Sequence, residues 1–130
     1  SLGGWKLLFM DDAPVARMPD AADVTRGRYL VEALGHCGEC HTPRNALGGI
    51  RRAAWLSGAP NPTGRGNIPD ITPTGLDWSK ADLVEYFTSG FTPEYDSAGG
   101  HMAEVVQNLS SLPVADRQAI AAYLKALPPE

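Results

Sequence analysis

The sequence predicts an all-α domain. Apolar residues recur at helical spacing in several segments, no stretch alternates with period two, and Gly and Pro gather between the periodic segments. At 130 residues the chain can bury one modest core but not two. Its apolar fraction of 43% is that of a globular protein. No apolar run reaches the roughly 20 residues a membrane-spanning helix needs.

Residues 1–19 mix Trp5, Leu7, Leu8 and Phe9 with Asp11, Asp12 and two prolines, and read as an extended arm or interdomain linker. The start, Ser1-Leu2-Gly3-Gly4, carries neither an initiator Met nor a signal-like apolar stretch. The expectation is a processed chain or a segment of a longer protein. Residues 20–130 are expected to form the domain proper.

Its first helix follows Pro19. Asp20 suits the N-cap and Asp23 the positive first turn; Val24, Gly27, Val31 and Leu34 supply the buried stripe, and Gly35 can end the helix left-handed. Residues 42–77 show little periodicity and much Gly, Pro, Asn and Thr. A loop of that length needs something to wrap around.

Three further helices complete the chain. Ser79 and Asp82 form a capping box ahead of Leu83, Val84 and Phe87, with Gly90 as the stop. Met102, Val105, Val106 and Leu109 fall on one face after Gly99-Gly100. Ile120, Tyr123, Leu124 and Leu127 form the last stripe, stopped by Pro128-Pro129.

The formal net charge is −4, which suggests neither nucleic acid nor an anionic membrane as partner. Residues 17–65 hold seven Arg against four acids, and residues 66–130 hold three basic residues against nine acids. Such a split can orient a protein partner.

The chemistry concentrates in CGECH, residues 37–41, which contains both cysteines of the chain. With the helix ahead of the motif, its dipole has the wrong sign to activate a redox thiol. A structural zinc site needs a second ligand pair, which the single His36 and His101 do not make. Two thiols three positions apart can instead form thioethers to the two vinyl groups of one porphyrin. His41 then lies under the iron. The reading is one haem c, covalent through Cys37 and Cys40.

His41 fills one axial position, and a ligand for the other must come from a distant segment: Met102, His101, Met10 or Met18. Met102 is favoured because it opens a helix behind two glycines, where backbone can approach the ring. His/Met ligation leaves no site for O₂ and raises the potential, which suits an electron carrier and not an enzyme. The alternative is a haem enzyme or gas or redox sensor with a displaceable sixth ligand.

Four stretches, CGECHTPRNALGG (37–49), DITPTGLDWS (70–79), GGHMAEVVQNLSSL (99–112) and AIAAYLKALPP (119–129), resemble the class I cytochrome c fold. They are most similar to the cytochrome c domains of bacterial periplasmic dehydrogenases for alcohols, sugars and aldehydes. That resemblance implies four to five helices around one haem. It also implies Met102 as axial ligand, Arg44 and Trp78 near the propionates, and a first-to-last helix crossing at Gly27 and Tyr123. A backbone carbonyl, Pro60 or Pro69, should accept from His41. The partners it implies are a dehydrogenase donor, a cytochrome or oxidase acceptor and adjacent haem domains, in the periplasm. Relatives often carry Asn where this chain has Asp70.

Overall fold

The computed structural model describes residues 1–129. Helix α1 spans Leu2–Phe9 and α2 Ala22–Arg28, which runs on as a π-helical turn over Tyr29–Leu34. Helix α3 is the single turn Cys37–His41. A 3₁₀ turn (Arg52–Ala54) and a short antiparallel hairpin, β1 (Ala59–Pro60) with β2 (Asn67–Ile68), follow. Helices α4 (Lys80–Ser89), α5 (Gly100–Ser110) and α6 (Val114–Ala126) complete the chain. The all-α class is borne out.

The core lies where α2 crosses α6. Gly27 makes that crossing possible: a Cβ there would come within 2.1 Å of the Ala119 carbonyl oxygen and 2.7 Å of the Tyr123 Cβ. Leu30, Val31, Leu56, Leu83, Phe87, Ile120, Tyr123 and Leu124 are buried around it. Arg26 closes the outer edge with a two-pronged ion pair to Asp116, at 2.9 and 3.0 Å. Helix α4 docks from the other side. The capping box forms as expected, Ser79 Oγ accepting from Asp82 N–H at 3.1 Å and Asp82 accepting from Ser79 N–H at 2.9 Å. Gly90 stops α4 with φ +80°.

Several expectations are corrected. The arm is a helix over Leu2–Phe9, although none of its residues is buried. The N-cap of α2 is Ala21, and Asp23 accepts from the N–H of Val24. Gly35 is right-handed, because the helix ends in a π turn whose last bond runs from Gly35 N–H to Leu30 C=O at 2.7 Å. The extra residue in that turn rotates the stripe. Leu30 and Val31 therefore face the core, and Leu34 turns outward, 57% exposed. The left-handed residue is His36, at φ 52°.

Residues 42–77 are not a structureless loop. Arg44 bridges to Ile50. Asn45, Asn61 and Asp70 each fold their side-chain oxygen onto backbone N–H groups two residues on. Asp70 also accepts from Thr72 Oγ1, so a carboxylate here holds a turn by accepting bonds alone.

Candidate haem-attachment site

The π turn and the left-handed His36 reset the chain direction, so CGECH forms a helical turn of its own. Cys37 opens that turn, which removes the expected dipole argument against a redox dithiol. Desolvation pushes the Cys37 thiol up to about 11, away from the low values reactive thiols need, which argues against a redox dithiol. Both cysteines are free. Among the described residues no three His, Cys, Asp or Glu side chains gather as a metal site, which disfavours structural zinc.

Gly38 separates the cysteines because no other residue fits. A Cβ there would lie 2.2 Å from ring atoms of Trp55, so the indole forms a floor under the turn. Thr42, buried behind the motif, accepts from the N–H of Leu56 at 2.9 Å. Leu56 itself is fully buried at φ +60°, a strained conformation for a branched side chain, and Thr42 helps to hold it there.

His41 Nδ1–H donates to the carbonyl of Pro69 at 2.8 Å, which chooses Pro69 over Pro60. That bond fixes the tautomer and leaves Nε2 as the metal donor. Burial holds the imidazole below its ordinary pKa, opposed by the Pro69 bond, which favours the neutral form that can ligate.

Met102 lies in the first turn of α5, half-buried. A Cβ at Gly99 or Gly100 would meet nothing within 4 Å. On the α5 stripe only Val106 is buried, while Met102, Val105 and Leu109 remain partly open. Of the other sulfur candidates, Met18 packs against the core, while Met10 and His101 are exposed. Arg44 is engaged by the carboxylate of Glu39 and by Gly48 C=O at 2.8 Å. Trp78 packs edge-on to Tyr86 at 5.3 Å, and its carbonyl accepts from Lys125.

These residues fit a covalently attached haem. Two thiols and an oriented imidazole share one turn, and an apolar stripe headed by a thioether is left half-covered. The sequence reading had found these donors. It missed Trp55, Thr42 and Glu32, whose bond to Tyr123 appears only once α2 and α6 cross.

No family model matches the sequence. Individual relatives do. The chain is 62% identical over 127 residues to a diheme cytochrome c-type protein of Cereibacter sphaeroides, covering 98% of this chain and 43% of that protein. It is 42% identical over 137 residues to the fructose dehydrogenase cytochrome subunit of Gluconobacter japonicus, covering 98% of this chain and 27% of the subunit. It is 36% identical over 143 residues to the cytochrome c subunit of the quinone alcohol dehydrogenase of Gluconobacter oxydans, covering 98% and 29%. The chain thus spans less than half the length of these curated relatives. With the attachment motif and the all-α fold in place along a sequence aligned almost from end to end, the chain is similar over nearly its whole length to cytochrome c proteins and subunits.

Proposed function

We propose that this chain is a one-electron carrier that takes electrons from a dehydrogenase and passes them to a respiratory acceptor. The observation carrying the proposal is the CGECH turn, in which His41 is committed to Pro69 beside two free thiols. Cys37 and Cys40 would hold one haem c by thioethers, and His41 Nε2 and the Met102 sulfur would ligate its iron. When bound, the haem supplies the ferrous/ferric couple.

The protein's part is to hold and to shield. Pro69 prevents His41 from turning, and Gly99 and Gly100 leave room beside α5. With His41 and Met102 both committed to the iron, the ligand set would change little with oxidation state, which suits electron transfer over substrate chemistry. Trp78 is the better of the two proposed propionate partners, since the Arg44 guanidinium is already engaged.

The names of the relatives support a dehydrogenase as donor, and the word diheme supports an adjacent haem module, because this chain has one CxxCH. Helix α1 and the arm behind it are proposed as the joint to that neighbour. Covalent haem attachment in such systems takes place outside the bacterial cytoplasm, which supports a periplasmic location.

Purified protein is expected to be pigmented, to gain the mass of one haem, and to keep its colour through acid–acetone extraction. Colourless protein, or free thiols that alkylate at both cysteines, would overturn the proposal.

A further inference from the structure

Trp55 is held by more than packing. Its indole Nε1–H donates to the hydroxyl of Tyr123 at 3.0 Å, and that hydroxyl donates to Glu32 Oε1 at 2.7 Å. Glu32 Oε2 in turn accepts from the N–H of Val15 at 3.2 Å, while Arg28 donates to the carbonyl of Ala16 at 2.7 Å. From the indole to the Glu32 carboxylate the bonds run in one direction. An indole can only donate and a carboxylate can only accept, so the one hydroxyl between them must accept from the first and donate to the second. One end of this line lies on the arm. The other is the ring that fills the space where Gly38 lacks a Cβ, between the two cysteines.

Packing alone would not require this polarity. A phenylalanine in place of Tyr123 would fill the crossing against Gly27 equally well. The hydroxyl fixes the angle of the indole, and the indole surface sets how the CGECH turn lies. We infer that Tyr123 is a positioning residue for the haem, acting through Trp55 on the turn that carries both thioethers. This rests on the haem reading above.

The test uses the haem-loaded protein in five forms: wild type, Tyr123→Phe, Trp55→Phe, the double variant, and Val24→Ala as a core variant remote from the turn. Midpoint potential and the NMR exchange rate of the Trp55 indole proton are measured in each form that keeps the indole. Tyr123→Phe is expected to shift the potential and to speed indole exchange about tenfold, the loss of one hydrogen bond. The double variant should match Trp55→Phe in potential, because Tyr123 has nothing left to act through. Val24→Ala should lower thermal stability and leave the potential unchanged.

An unmoved potential in Tyr123→Phe, or shifts that add in full in the double variant, would overturn the inference. Should Tyr123→Phe fail to mature, Trp55→Phe carries the test. It keeps a ring on Gly38 but removes the donor, and an unchanged potential there overturns the inference equally. A wild type without haem would sink the functional reading itself, a result distinct from a pigmented protein whose potential ignores Tyr123.

Discussion

His41 and Pro69, 28 positions apart, are joined by a 2.8 Å bond from the imidazole Nδ1–H to the backbone carbonyl. Two further bonds bring that carbonyl into place. Gly58 N–H donates to His41 C=O at 2.7 Å, and Ile71 N–H donates to Leu56 C=O at 3.0 Å. The β1–β2 hairpin is the short detour the chain makes between these anchors. Its contribution to the site is a single oxygen atom.

Gly58→Ala should disturb that atom. Gly58 has φ +89°, and a Cβ would lie 2.8 Å from the Ile68 carbonyl oxygen and 2.9 Å from the Asp70 nitrogen. Strain of this kind costs about 1–3 kcal/mol. Chemical denaturation should show the loss. The potential should rise, because an imidazole without its acceptor is a poorer donor to ferric iron. A destabilised variant with an unchanged potential would mean that the Pro69 bond survives the substitution.

Thr42→Val tests the anchor behind the turn. The volume is kept, but the buried N–H of Leu56 loses its only side-chain acceptor, at a cost of about 2 kcal/mol. Thr42→Ser keeps the acceptor and should lose clearly less in urea titrations. Equal losses in the two variants would assign the effect to the methyl group and not to the hydrogen bond.

Met102→Ala removes the proposed second axial donor. The Met-to-ferric charge-transfer band should vanish from the oxidised spectrum, and the potential should fall, since thioether sulfur favours ferrous iron. The reduced variant should also bind CO, which the parent should resist. Retention of the band would return the choice to His101, Met10 or Met18.

Stability should decline in acid for a definable reason. Hydrogen bonds from Ser79 hold the Asp82 carboxyl below the usual carboxylate range, and the bond from Arg26 does the same for Asp116. Both bind a proton more readily when unfolded. Their stabilisation is therefore complete above the unfolded range near about pH 4 and is lost as pH falls through the lower folded values. Urea midpoints should drop through that window, and more gently in the Asp82→Asn, Asp116→Asn double variant. An equally steep acid limb in that variant would place the sensitivity at other carboxyls.

How much of this was legible in the sequence depended on the range of the interaction. The α4 cap, its Gly90 stop and the α6 stripe are local patterns, and the structure reproduces them. The Gly27–Tyr123 crossing followed from the family resemblance. The π turn was not legible, because Tyr29–Leu34 has the composition of an ordinary helix and only the packing of Leu30 and Val31 reveals the extra residue. Helix α1 was hidden by Gly3 and Gly4, whose weak propensity argues against a helix. The Trp55–Tyr123–Glu32 line joins three distant segments, and no local spacing announces it. Pro60 and Pro69 could not be separated until the hairpin register was known.

Helix α1 is lightly anchored, with none of its residues buried. Its eight residues fall well short of the roughly 12–15 that an isolated helix needs to persist in water. It is fastened through the Trp5 indole on the Leu47 carbonyl and through the Phe9 ring seated on Gly49. Breathing of that clasp would bare the peptide bonds of residues 2–9 without disturbing the α2–α6 crossing. Limited proteolysis should therefore trim this segment first, leaving a shorter core fragment that resists the enzyme.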